Sequence, residues 1–93
     1  MKTKLDEARE IINEIDSEMI HLFIKRMAAV SSIADYKMEN HIDVLDSSRE
    51  DEIKKRNLEL LSNKQLEKYY LTFFEGVLNS SKEYQKDYII KKK

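Results

Sequence analysis

The stretch from Leu5 to Met38 constrains the fold most, because its 34 residues include neither Gly nor Pro. Apolar residues recur in it with a seven-residue repeat, which is the spacing of one face of a helix. One row runs through positions 5, 12, 19, 26 and 33, and its companion through 8, 15, 22, 29 and 36. The apolar members are Leu5, Ala8, Ile12, Ile15, Met19, Leu22, Ala29, Ile33 and Tyr36. We therefore predict one continuous amphipathic helix over residues 5–38.

Two cations share the apolar side of this helix. Arg26 stands where the first row requires a hydrophobe, and Lys37 follows eleven residues later, about 20° away around the helix. Unpaired cations in an apolar interior are costly, and no acidic residue of this helix is spaced to neutralise both. An anionic ligand, most simply a dianion, would compensate them. Taken alone, Arg26 is typical of a side chain that reaches solvent or pairs with a carboxylate across an interface.

The length of this helix favours an oligomer. A helix of 34 residues is about 51 Å long, whereas a compact domain of this size has a radius of gyration of about 12 Å. The other residues of the 93-residue chain cannot cover such a rod. We expect a single all-α domain over residues 1–93, with a second copy of the chain covering the rest of the helix.

Two shorter helices are predicted after a loop at residues 39–45. Ser47 and Glu50 fit a capping box that starts a helix over residues 47–61. Residues 63–88 form the third helix, and residues 89–93 are expected to be a frayed tail. The inward stripe of the third helix is Leu66, Tyr69, Tyr70, Phe73, Phe74, Val77, Leu78 and Tyr84.

Three further signals lie at or within the third helix. Ser62 and Gln65 fit a second capping box at its start. Gly76 lies inside it, where Gly lowers helix stability by about 1 kcal/mol relative to Ala. A glycine at this position suggests close packing against a neighbour. Ser81 and Gln85 are four residues apart and prolong its inward stripe.

Composition excludes several classes of function. The formal net charge is −1, which disfavours nucleic-acid binding, and the absence of Cys excludes disulfides and thiolate metal sites. His21 and His41 have no partners at metal-ligand spacing, and no Ser-His-Asp arrangement offers a nucleophile. No stretch is apolar enough for a signal core or a bilayer span, so we expect a cytoplasmic protein without membrane contact.

Arg9 is too far from Arg26 to serve the same site in one chain. Seventeen residues separate them, or about 26 Å along a straight helix. If both bind one small ligand, Arg9 must come from a second chain. Alone, Arg9 is typical of a solvated charge, and Asp46, Arg49 and Glu50 are typical of a helix start.

In their order, these polar residues resemble the pattern of the all-helical, or type II, chorismate mutases. That pattern has an Arg in helix 1, a second Arg seventeen residues later and a Lys eleven residues after that. Asp-x-x-Arg-Glu then opens helix 2, and Ser-x-x-x-Gln comes late in helix 3. The matching residues here are Arg9, Arg26, Lys37, Asp46, Arg49, Glu50, Ser81 and Gln85. The sequence departs from many relatives at residues 42–45, where it lacks a Pro.

The resemblance implies an intertwined homodimer of three-helix protomers with two equivalent sites. It implies the rearrangement of chorismate to prephenate, a pericyclic reaction that needs no cofactor, metal or covalent intermediate. Arg9 of the partner and Arg26 would hold the two carboxylates, with help from Ser81. Lys37 and Gln85 would donate to the ether oxygen, where negative charge develops in the transition state.

The remaining three residues of the pattern would act around the substrate's ring. Glu50, with Asp46 nearby, would bind the ring hydroxyl, and Arg49 would orient these acidic side chains. An isochorismate-pyruvate lyase on the same scaffold is the nearest alternative activity. A helical dimerisation module without catalysis would explain the heptads and caps, but not the two cations on one inward face.

Overall fold

The computed structural model describes residues 1–92, which form three α-helices and one short 3-10 turn. The α-helices are α1 (Lys4–Glu39), α2 (Ser47–Leu60) and α3 (Glu67–Lys92), and the 3-10 turn (Lys64–Leu66) leads into α3. No strand occurs within these 92 residues. The prediction of an all-α fold with one very long helix is confirmed.

Thr3 and Asp6 start α1 with a capping box that we did not predict. The Thr3 hydroxyl accepts from the backbone N–H of Asp6 (3.1 Å), and the Asp6 carboxylate accepts from that of Thr3 (3.1 Å). The hydrogen bond from the Thr3 backbone, followed by that from its hydroxyl, lowers the pKa of Asp6. Each bond satisfies an N–H that the helix itself leaves without an acceptor.

A Schellman motif ends α1. The N–H of Ile42 donates to the Lys37 carbonyl (2.8 Å), and that of His41 donates to the Met38 carbonyl (3.4 Å). His41 takes the left-handed conformation that the motif requires, with φ 54°. The motif turns the chain back beside the last turn of α1, which is the turn that carries Lys37.

Asp46 is the N-cap of α2, so the predicted capping box of Ser47 and Glu50 is wrong. The Asp46 carboxylate accepts from the backbone N–H of Arg49 at 3.0 Å. Asp suits this position as well as Ser does, and its charge is also stabilised by the positive end of the helix dipole. The Glu50 side chain is consequently free to face α3.

The predicted capping box of Ser62 and Gln65 is also wrong. Asn63 accepts from the backbone N–H of Gln65 (3.1 Å) and starts the 3-10 turn, so α3 proper begins at Glu67. Asn is as good a cap as Ser, and it lies one residue closer to Gln65.

The C-terminal end of α3 is longer than expected. Helix continues through Lys92 where a frayed tail was predicted from residue 89, and Lys93 lies outside the described residues. Tyr88 donates to Asp35 of α1 (2.8 Å), which holds this end of α3 in place. The Lys92 ammonium lies 5.3 Å from the centre of the Tyr88 ring and suits the negative end of the helix.

The helices pack around a small core in which α1 and α3 run parallel. Two tyrosines of α3 bind successive turns of α1: Tyr84 with Ser31 (2.9 Å) and Tyr88 with Asp35. Helix α2 packs antiparallel against α3. The buried apolar residues are Val30, Ala34, Phe74 and Leu78.

The N-terminal part of α1 has no partner within the chain. Every residue from 1 to 25 is exposed. The large apolar side chains that α1 exposes in this segment are Leu5, Ile11, Ile12, Ile15, Met19, Ile20, Leu22, Phe23 and Ile24. The radius of gyration is 16.9 Å, well above the value of about 12 Å for a compact domain. No helix of the described chain is both long and apolar enough to span a membrane.

Part of the predicted stripe on α3 is likewise uncovered. Tyr69 is 65% exposed and Phe73 53% exposed. A Cβ at Gly76 would meet no atom within 4 Å, so the expected close packing at this glycine does not occur within the chain. Gly76 instead borders an open apolar groove of about 540 Å³ between α1 and α3.

Candidate active site

A cleft of about 400 Å³ lies between the C-terminal half of α1, the start of α2 and the C-terminal half of α3. Its volume is typical of a small-molecule site. Seven of the eight residues singled out in the sequence line it: Arg26, Lys37, Asp46, Arg49, Glu50, Ser81 and Gln85. The eighth, Arg9, lies outside the cleft on the exposed segment of α1.

Arg26 is anchored by α3. Its guanidinium donates to the hydroxyl of Ser81, which in turn donates to the carbonyl of Val77 at 3.0 Å. Among the described residues, no carboxylate lies within 4.0 Å of Arg26. Within one chain, Arg26 is therefore half-buried without an ion-pair partner.

Lys37 is held by the loop that follows α1, which the Schellman motif directs back along the last turn of the helix. Its ammonium donates to the Val44 carbonyl at 2.8 Å, and no carboxylate of residues 1–92 forms an ion pair with it. An ammonium has three N–H donors. Two of these therefore remain for a molecule in the cleft.

Arg49 has a different partner from the one that the family resemblance implied. Its guanidinium pairs with Glu52 at 2.8 Å, and both side chains are more than half exposed. Asp46 binds the backbone of Arg49, not its guanidinium. Within the described chain, the Arg49 guanidinium therefore borders the cleft without an ion pair to Asp46 or Glu50.

Glu50 is paired with Lys82, a residue that the sequence analysis missed. The ammonium and the carboxylate are 3.2 Å apart, and the two side chains are 23% and 18% exposed. Lys82 also lines the cleft. The available signal was its position directly after Ser81 and three residues before Gln85, which puts it beside the same face of α3.

Ser81 and Gln85 are the buried polar residues of the described chain, each 7% exposed. The Gln85 Oε1 atom is buried and has no hydrogen-bond donor within residues 1–92. Leaving such a group unpaired costs about 1–3 kcal/mol, so it is uncommon in folded proteins. Gln85 lines the cleft, and the N–H of its amide is the group that can donate to an anionic ligand there.

The charges of the cleft suit a dianion. Four cations line it (Arg26, Lys37, Arg49 and Lys82) together with two carboxylates (Asp46 and Glu50), so 4 − 2 leaves a formal charge of +2. Opposite charges in a partly dry cleft attract more strongly than in water. No cluster of three or more His, Asp or Glu side chains within residues 1–92 is arranged to hold a metal ion.

The fold and the cleft define the class as an all-helical protein with a cleft lined by more cations than carboxylates. Comparison with known families makes this specific, because the sequence profile described as chorismate mutase type II matches residues 8–86. The chain belongs to the type II chorismate mutase family. No curated protein and no solved structure matches the chain.

Proposed function

We propose that the chain is a chorismate mutase, which rearranges chorismate to prephenate in the biosynthesis of phenylalanine and tyrosine. Family membership supports this activity. The observation that carries it is the cleft itself, where two cations of α1 lack a carboxylate partner and Gln85, whose amide N–H can donate a hydrogen bond, lines the same space. A dicarboxylate that contains an ether oxygen fits these groups.

The first task of the site is to hold the reactive conformer. Arg26, braced by Ser81, binds one carboxylate of chorismate. A guanidinium can bind a carboxylate with two parallel hydrogen bonds, which fixes orientation as well as position. With the second carboxylate also bound, the enolpyruvyl side chain lies over the ring, so that binding lowers the entropic part of the barrier.

The second task is to stabilise charge as the C–O bond breaks. Negative charge gathers on the ether oxygen, and the free N–H donors of Lys37 and the amide N–H of Gln85 donate to that atom. These donors are held before the reaction by Val44 and by the burial of Gln85. Preorganised donors of this kind account for a large part of many rate enhancements.

The carboxylates at the start of α2 bind the ring hydroxyl. Glu50 accepts from it, and Asp46 lies one helical turn before Glu50. Arg49 adds positive electrostatic potential at the edge of the cleft.

The second carboxylate of chorismate requires Arg9 of another chain. Within one chain, Arg9 lies about 26 Å along α1 from Arg26, too far for both to bind one molecule. The exposed apolar residues of α1 support a homodimer, since a second long helix would cover them. In this arrangement each α1 serves two sites, with Arg9 in one and Arg26 and Lys37 in the other.

Purified protein tests the activity in a continuous assay of chorismate loss, with prephenate identified as the product. We expect Arg26→Leu to lower kcat/KM by at least about 100-fold, since it removes a carboxylate anchor, while circular dichroism shows an unchanged helical content. Wild-type protein that releases pyruvate from isochorismate but leaves chorismate intact would show the lyase instead. Inactivity on both substrates, with Arg26→Leu more stable than wild type, would indicate a dimerisation module.

A further inference from the structure

We propose that Lys82 is a positioning residue of this site, which holds the Glu50 carboxylate on the ring-hydroxyl side of the cleft and away from the cations that bind substrate. The proposal rests on the function proposed above. It concerns a residue outside the pattern by which the chain resembles its family.

The contact between Lys82 and Glu50 joins two helices across one side of the cleft. Glu50 lies in the first turn of α2, and Lys82 lies between Ser81 and Gln85 on α3. Their charged atoms are 3.2 Å apart, and both side chains are less than one quarter exposed. A pair this sheltered is screened less by water and salt than an exposed pair.

Without Lys82, the Glu50 carboxylate would be a sheltered charge without a partner. Arg26 and Lys37 line the same cleft and have no carboxylate partner of their own. Glu50 would then compete with substrate for these cations.

Lys82 acts through Glu50 and not on substrate. Its ammonium is already engaged by the Glu50 carboxylate in the unliganded cleft. The expected consequence of losing it is weaker substrate binding with little change in the chemical step, because the donors to the ether oxygen remain.

The chain offers a matched control in Lys54. It pairs with Glu75 at 2.9 Å and so also joins α2 to α3, but neither residue lines the cleft. If Lys82 only stabilised the packing of α2 against α3, removing Lys82 and removing Lys54 would have similar effects on turnover.

The first experiment compares the kinetics of Lys82→Met, Lys82→Arg and Lys54→Met with those of wild type on chorismate. Met retains most of the apolar stem of Lys, and Arg retains the charge. We expect Lys82→Met to raise KM about 10-fold, equivalent to about 1.4 kcal/mol, with kcat within about threefold of wild type. Lys82→Arg should restore most of the affinity, and Lys54→Met should leave KM unchanged. If Lys82→Met does not fold, Lys82→Gln replaces it.

The second experiment tests whether the effect passes through Glu50. In a Glu50→Gln background, adding Lys82→Met should change KM by less than about twofold, because the carboxylate that Lys82 holds is already absent. Additive losses, or equal losses in Lys82→Met and Lys54→Met, would overturn the proposal while leaving the mutase activity intact. Wild-type protein that does not convert chorismate would overturn both.

Discussion

Gln85 is the residue whose chemistry is most informative at the scale of single side chains. It is buried, its Oε1 atom has no donor within the described residues, and it lies in a cleft with Lys37. An amide donates a hydrogen bond at any pH, whereas a Glu at this position would have to be protonated to donate.

Gln85→Glu should therefore shift the pH range in which the enzyme is active to acidic values. A Glu side chain ordinarily titrates near pH 4.3, so the variant at neutral pH would place a carboxylate next to the ether oxygen, where negative charge develops in the transition state. We expect wild type to show a flat rate around neutral pH, and the variant to lose at least about 100-fold in kcat there and regain activity as the pH falls. A variant profile that follows wild type would show that Gln85 does not contact the ether oxygen.

Helical spacing made most site positions predictable at the residue scale, because it shows which side chains share a face. It brought Arg26 and Lys37 to one side of α1 and linked Ser81 with Gln85, and the structure has all four around one cleft. The position of Lys82 beside Ser81 and Gln85 was visible in the sequence, but its pairing was not, because Glu50 is 32 positions away and spacing within α3 does not identify it.

At the scale of helices and loops, the ends were harder to predict than the helices themselves. Asp46 and Asn63 replaced the predicted caps because Ser, Asp and Asn cap almost equally well, and local geometry decides among them. The contact of Tyr88 with Asp35 lies just before the C-terminal extension of α3, and no local pattern shows a pair 53 positions apart.

That same contact predicts how stability depends on pH. The hydrogen bond that Tyr88 donates to Asp35 is the main cause that raises the pKa of Tyr88. A pKa that is higher in the folded state means that the stabilisation is complete below about pH 10, the ordinary tyrosine value, and is lost as the pH rises through the folded pKa. Tyr88→Phe should be less stable than wild type at pH 7, and the difference should shrink above pH 10.

Thermal unfolding from pH 7 to pH 11 measures this effect. Tyr69→Phe is the control, because Tyr69 is 65% exposed and its stability curve should run parallel to that of wild type. A constant difference between Tyr88→Phe and wild type across the whole range would show that the hydrogen bond to Asp35 does not control stability.

At the scale of the whole molecule, the long α1 is explained if it crosses two protomers. The structure has a helix of 36 residues in a chain that extends 58 Å, with its N-terminal apolar residues exposed. The sequence predicted this length, and it predicted that a second chain covers the apolar side of α1, because the other residues of a 93-residue chain are too few to do so. How two chains are arranged depends on contacts between them, so the homodimer stays a prediction.

The shared site can be tested by mixing two inactive variants. Arg9→Ala and Arg26→Ala should each be dimers by mass and nearly inactive, because each lacks one carboxylate anchor in both sites. In a mixed dimer, one site has Arg26 from the first variant and Arg9 from the second, while the other site has neither.

Unfolding equal amounts together and refolding them should therefore restore activity. Random pairing makes about half of the dimers mixed with one intact site each, so we expect about one quarter of wild-type chorismate turnover. Each variant refolded alone is the control and should stay inactive. A mixture no more active than its components would contradict a site built from Arg26 of one chain and Arg9 of its partner.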